Sequence, residues 1–382
     1  MQDQPRHPGT RALLARFLRR DLPENEAASV LTRLVQGGRL SHFLRTRPYH
    51  RIGPAVAARA REFGFDIPRS LEARAAACTL RSRLLRRQLG DTVGLLDDHG
   101  VRVCLIKGAA SLAEPAPAGY LPAPVRPMED LDLVVRPEHA GRARELMADR
   151  GWLCRSGSQP MTFRLDAPAL VDVHVWSPRC AALGFLDLDD FFGRSPAASV
   201  GGREVAVLPP EQHVRVRLAH NVIRQHLFVD FPLVQLHELA HIVRTAGGSV
   251  DWTAVRSGGL MHGVSRVFYA ILLRLRDEFG APVPDGVIPP VELEPARRVR
   301  RLLDRLAAVP DRLYGAASRH ALIAAAAPGQ AMDHVNRAAE ELVARPAAEA
   351  EPRGPLAQVL RPLRTALLHL AFRCWSLLPE RG

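Results

Sequence analysis

Lysine is almost missing from this sequence. Of the 52 Lys+Arg residues only Lys107 is a lysine, so the formal net charge of +12 rests on arginine. Enrichment in Arg, Ala and Pro with almost no Lys is what a GC-rich coding sequence writes onto any surface, and the charge says little by itself about a nucleic-acid partner. Aromatic residues are scarce too, at 5%, which argues against a platform of stacked aromatics for single strands and makes RNA the less expected partner. The five cysteines, Cys78, Cys104, Cys154, Cys180 and Cys374, are odd in number and form no CxxC, so neither a disulfide framework nor a Cys-based zinc site is supported. No uninterrupted apolar run approaches the ~18 residues of a membrane span, and the first ten residues, MQDQPRHPGT, hold no apolar signal core. A soluble, cytoplasmic protein is expected. What is present in quantity, 47% hydrophobic residues over 382 positions, suffices for a sizeable core.

The patterning divides the chain. Residues 1–100 read as helical, with apolar stripes at Leu13, Leu14, Phe17 and Leu18, then at Leu31, Leu34 and Val35, and a long Arg/Leu-rich helix over 70–98 closed by Gly100. Residues 101–208 change texture. Val101–Ile106 and Asp130–Val135 are short β-branched runs, separated by a small-residue helix start from Lys107 to Leu112 and a Pro-rich loop from Pro115 to Pro127. A helix from Pro137 to Arg150 follows, then strand candidates Met161–Leu165, Leu170–Trp176 and Glu204–Leu208. Residues 209–340 are helical again, over 210–226, 232–246, 261–279 and 291–307; 341–355 reads as a linker, and 356–382 as an amphipathic C-terminal helix expected to pack on the chain's own body. The fold class is α+β: a small mixed sheet flanked by N-terminal and C-terminal helical regions.

Side chains alternate across a strand, so Asp130 and Asp132 in DLDLVV share a face while Leu131, Leu133 and Val135 take the other. Two neighbouring carboxylates repel unless a cation lies between them, and a hard divalent ion suits that place: Mg²⁺ takes one or two carboxylates and completes its shell with phosphate oxygens and water. An isolated DxD is also common on a solvent-facing strand. Val171-Asp-Val-His-Val-Trp176 repeats the pattern, with Asp172 and His174 on one face. A third acid on a neighbouring strand is what two-metal phosphoryl transfer needs. His174 is equally readable as a brace for the site or as a buried histidine bonded to backbone. Lys107 and Gly108 fall where a strand turns into a helix, a place suited to phosphate, and Arg126 is a second candidate phosphate clamp.

Leu105-Ile-Lys-Gly-Ala-Ala110, Tyr120, Arg126, Glu129-Asp-Leu-Asp-Leu-Val-Val135 and Val171–Trp176 together resemble the uncharacterised nucleotidyltransferase family of the DNA polymerase β superfamily, whose run is approximately LKG…R…DxDLLV…DLHW. The resemblance extends from about residue 75 through Leu208–His213 and His220 to Pro282–Pro284. It implies Asp130 and Asp132 as metal ligands with Asp172 as the third catalytic carboxylate. It also implies Lys107-Gly108 standing where most of the superfamily has the Gly-Ser that holds the triphosphate, so Lys107 takes over that role or the donor is held differently. The function so implied is Mg²⁺-dependent (or Mn²⁺-dependent) transfer of a nucleoside monophosphate from an NTP to an acceptor hydroxyl or phosphate. The acceptor is a small molecule, peptide or protein, with natural-product or polysaccharide biosynthesis as a setting.

Two other readings compete. His237-Glu-Leu-Ala-His241 spells the HExxH of zinc proteases, although no metzincin continuation follows and Glu278 is the only candidate for a distant third ligand. The other is a non-catalytic nucleotide-binding module. Asp187, Asp189 and Asp190 read as capping and surface acids, and His213 and His220 as a polar stripe on one helical face.

Overall fold

The structure is a computed structural model of the chain and describes residues 9–46, 51–117, 119–154, 161–164, 170–175, 192–193, 197–219, 232–246, 248, 250–261 and 265–307. Among these, five helices precede the first strand: α1 (Thr10–Phe17), α2 (Glu24–Val35), α3 (Arg39–Thr46), α4 (Gly53–Glu62) and α5 (Arg69–Asp97). In α5, Leu71, Ala75, Cys78, Ser82, Leu85, Leu89, Val93 and Leu96 recur at three- and four-residue steps and are buried, whereas Arg83, Arg86 and Arg87 face water. That periodicity supplies one apolar stripe along the whole helix.

The stripe lies against a seven-stranded sheet in the order β3-β4-β5-β2-β1-β7-β6. Its strands are β1 (Val103–Leu105), β2 (Asp130–Val135), β3 (Leu153–Cys154), β4 (Met161–Arg164), β5 (Leu170–Val175), β6 (Ala197–Val200) and β7 (Arg203–Val207). The sheet is mixed: β1 runs parallel to β7 and β2 parallel to β5, and the other neighbours are antiparallel. Between β1 and β2 lie the helical turn α6 (Lys107–Ala110) and the Pro-rich loop; α7 (Ala140–Asp149) follows β2. Leu105, Leu131, Leu133, Val171, Val173, Phe163 and Val207 form one core with Leu85, Leu89, Leu146 and Met147. Each of these strand residues alternates with a residue of the opposite face, which frees that face for polar groups.

The expected strands are all present, and two more join them. β3 is a two-residue edge, and β6 reads Ala-Ala-Ser-Val, too small and too polar for a hydrophobic pattern to mark. Gly201 and Gly202, at φ 58° and 78°, make the tight turn from β6 to β7; two successive positive φ values need residues without a Cβ and give the turn whose twist suits a hairpin.

After the sheet come α8 (Pro210–Ala219), α9 (Leu233–Ala246), α10 (Trp252–Met261), α11 (Ser265–Phe279) and α12 (Pro290–Ala307). The helix expected over 261–279 is α11, which begins at Ser265, and α10 over Trp252–Met261 is a further helix that the sequence pattern did not mark. The expected linker and C-terminal helix lie outside the described residues. The chain divides into two units. The first comprises 1–218, 231–255 and 272–287, so the N-terminal helices and the sheet belong together; the second comprises 219–230, 256–271 and 288–382 and includes the Arg266–Glu292 ion pair at 3.0 Å.

The first unit encloses a knot of charge. Glu238 on α9 is 0% exposed. Its Oε1 accepts a hydrogen bond from Arg126 Nε at 2.8 Å, and Arg217 Nη2 of α8 lies 2.6 Å from its Oε2. His213 stacks on Tyr120 with ring centroids 4.2 Å apart, and its Nε2 accepts from Arg217 Nε at 3.3 Å. The Tyr120 hydroxyl donates to the Leu208 carbonyl at 3.2 Å. This knot ties the Pro-rich loop to α8 and α9. Breaking a buried pair by removing one partner typically costs about 3–5 kcal/mol, because the other charge is left without compensation.

These groups make the fold sensitive to acid. Burial pushes the Glu238 carboxyl up, but Arg126 and Arg217 outweigh it and hold it at about 2. Burial drives His213 and His237 down to about 3, and His241 to about 4. The unfolded chain binds these protons at ordinary values, 6.5 for His and 4.5 for Glu. Stability is therefore complete above about pH 6.5 and is lost as pH falls, first through proton uptake by histidines of the unfolded state and then by Glu238. The melting temperature is expected to be highest at pH 7 and above and to drop by roughly 10 °C or more by pH 4.5. A thermal melt series checks this, and a flat profile would mean that the histidines protonate without leaving the fold.

Candidate active site

The polar face of the sheet is built by the parallel pairing of β2 and β5. Their register sets Asp130 beside Leu170, Asp132 beside Asp172, and Val134 beside His174. Asp132 and Asp172 are thereby lateral neighbours, as the two sequence patterns require once the strands align. Ligand atoms of Asp132, Asp172 and His174 all lie within 4.8 Å of one another, and among the described residues this is the one cluster of His, Cys, Asp or Glu with spacing for a metal.

Asp132 is buried, and both a cation and an imidazole converge on one of its oxygens. Lys107 Nζ stands 2.7 Å from Oδ1, and His174 Nε2 stands 2.8 Å from the same atom. Burial alone would raise the Asp132 carboxyl, but Lys107 and His174 hold it far below the usual carboxylate range. His174 is thus a partner of Asp132 rather than a histidine bonded to backbone. Asp130 is different. It starts β2, half-buried and one pleat away from the cluster, and burial followed by the Asp132 charge pushes its carboxyl up. The structure brings together Asp132, Asp172 and His174; Asp130 is adjacent and outside that group.

The donor set fits a divalent cation on one specific point. Asp172 Oδ1 is buried and has no hydrogen-bond partner, and a desolvated carboxylate oxygen is unfavourable unless something positive meets it. Two carboxylates on adjacent strands suit a hard ion such as Mg²⁺ or Mn²⁺.

Lys107 opens α6 directly after β1, as the sequence suggests, but with a backbone φ of 51°. A non-glycine residue in the left-handed region is uncommon and is held there by its surroundings; here the neighbouring Ile106 amide donates to the Asp132 carbonyl at 3.2 Å, pinning the turn to β2. Gly108 comes next, and the reason for a glycine is space. A Cβ there would stand 2.0 Å from Arg126 Nη1 and 2.8 Å from the Met128 Cγ and Sδ. Arg126 therefore lies across the Lys107-Gly108 turn, with its Nε committed to Glu238. The segment carrying it is fixed by Arg81 Nε, which donates to the Met128 carbonyl at 2.8 Å.

The HExxH string has another use here. Its glutamate is the centre of the charge knot, paired with two guanidinium groups, and His237 is buried with its ring centroid 6.4 Å from that of Phe279. Glu278, the distant ligand candidate, lies 3.7 Å from Arg274 Nε. Among the described residues neither His237 nor His241 belongs to a group of three ligands. Sequence reasoning missed Glu238 and Arg217 as companions of Arg126; the available signal was an acid set among Leu236, Leu239 and Ala240 in an apolar helix, a placement that demands a buried counter-charge.

Gly108→Ala is expected to cost about 1–3 kcal/mol through overpacking against Arg126 and Met128, read as a lower midpoint in urea unfolding. An unchanged midpoint would mean that both side chains yield freely.

Curated proteins give no match. Among solved structures, the chain is similar to that of the antibiotic-resistance factor ANT(2'')-Ia, solved in solution, at 15% identity over 52% of this chain and 97% of that one, with a TM-score of 0.34. A family model described as "Uncharacterised nucleotidyltransferase" matches residues 38–280. That span is well over half of the chain and contains Lys107, Asp132, Asp172 and His174, and the protein belongs to the uncharacterised nucleotidyltransferase family.

Proposed function

We propose that the protein moves a nucleoside monophosphate from an NTP to an acceptor hydroxyl or phosphate, with Mg²⁺ or Mn²⁺ held by Asp132 and Asp172 and completed by Asp130. The observation that carries this reading is the side-by-side placement of Asp132 and Asp172 with one buried Asp172 oxygen left without a partner. Family membership supports nucleotidyl transfer in general terms. When bound, the ion neutralises charge on the transferring phosphoryl group and makes the acceptor oxygen a better nucleophile.

The chain's own residues then have distinct tasks. Asp172 takes the acceptor's proton as the acceptor oxygen bonds to the α-phosphorus and the bond to the bridging oxygen breaks, with pyrophosphate leaving. Asp132 stays ionised throughout, because Lys107 and His174 favour its charged form. Lys107 places an ammonium at the mouth of the α6 turn, where it exchanges between Asp132 and the triphosphate. Gly108 leaves room for Arg126, which adds a guanidinium over the same turn. The low aromatic content favours a small-molecule, peptide or protein acceptor over RNA.

Incubating the protein with α-³²P-labelled NTPs, Mg²⁺ and a bacterial extract tests the assignment. Wild type should label an acceptor and release pyrophosphate, and Asp132→Ala and Asp172→Ala should each lower transfer by about a hundredfold or more. Transfer that survives both substitutions would exclude this site, and NTP binding without any transfer would favour the non-catalytic module. Lys107→Arg keeps the charge but replaces a compact ammonium with a broad planar group; it is expected to lose most of the activity, and a fully active variant would remove Lys107 from the machinery.

A further inference from the structure

The charge knot and the candidate active site share one residue, Arg126, and its two ends face different partners. On one side, Nε donates to Glu238 at 2.8 Å. On the other, Nη1 lies over Gly108, where a Cβ would come within 2.0 Å. Neither Nη group makes a hydrogen bond among the described residues. The guanidinium plane is thus tethered by its inner edge, and among the described residues its fork of outer donors is uncommitted beside the Lys107-Gly108 turn. An arginine fork with free donors is matched to a phosphate's pair of oxygens.

We infer that Glu238, the glutamate of the HExxH string, is a positioning residue for nucleotide binding: it locks Arg126 by Nε so that both Nη groups present to the triphosphate of the donor. The inference rests on the nucleotidyltransferase reading of the site. Arg217 Nη2 lies 2.6 Å from the second Glu238 oxygen and offsets the rest of the buried carboxylate's charge, a structural task apart from the hold on Arg126. Neutral His213, 3.9 Å from Glu238 Oε1 and stacked on Tyr120, fills the remaining side. Glu238 touches no substrate. Its effect passes through one side chain, whose rotamer freedom it removes before the ligand arrives, and preorganisation of that kind lowers the cost of binding.

The test is titration of wild type and variants with a non-hydrolysable NTP analogue and Mg²⁺ by calorimetry, with a thermal melt of each variant. Glu238→Gln should raise Kd about tenfold, Arg126→Met by as much or more, and the double variant should be no weaker than Arg126→Met alone, since Glu238 acts only through Arg126. Arg217→Met, which disturbs the same knot from the far side, should lower the melting temperature and move Kd by less than about twofold. If Glu238→Gln does not fold, Glu238→Gln with Arg217→Met removes one buried charge of each sign and serves in its place. Wild-type binding with Kd unchanged in the folded Glu238 variant, or additive effects in the double variant, would overturn the inference. Absence of any binding to wild type would instead overturn the nucleotidyltransferase reading beneath it.

Discussion

Asp132 is a carboxylate with little access to water, and the polar face of the sheet depends on its staying charged. Burial works against ionisation, and two neighbours on the same oxygen, the Lys107 ammonium and the His174 imidazole, reverse that preference. Every element around it serves the same end. β1 delivers Lys107, the parallel register of β2 and β5 delivers Asp172 and His174, and α5 covers the opposite face so that these strands lie flat on a dry core. Were Asp132 neutral, the Lys107 ammonium would lose the opposite charge it faces at 2.7 Å in a site with little water.

The fold was legible wherever a periodic pattern coincides with burial. The long helix over 70–98 appears as Arg69–Asp97, and DLDLVV is a strand over the six residues that its alternation marks. Alternation also placed Asp132 and Asp172 on polar faces. What alternation cannot supply is register: that Asp132 faces Asp172 while Asp130 faces Leu170 depends on how two distant strands slide into alignment. For the same reason the sequence treats Asp130 and Asp132 as equals, whereas in the fold one is the centre of the cluster and the other stands beside it.

The HELAH segment shows the opposite limit. Spelled out along a chain, two histidines and a glutamate at helical spacing resemble a zinc ligand set, because one turn of helix does bring residues i and i+4 to one side. Whether that side meets metal or protein is settled by what packs on it. Here the glutamate meets Arg126, over a hundred positions earlier, and Arg217. No local pattern announces such a pairing. The one cue is energetic: an acid in an apolar stretch has to find a cation.

The parallel pairing of β2 and β5 bears on when this site comes into being. Antiparallel neighbours can zip from a turn, but Asp132 and Asp172 are about 40 positions apart on parallel strands, so their alignment needs a crossover that carries α7, β3 and β4. The Lys107 contact demands in addition that β1 has docked on β2. The acidic cluster therefore rests on contacts between residues far apart in sequence, whose closure costs chain entropy. A chain in which these strands have not paired holds the residues of the cluster without its geometry.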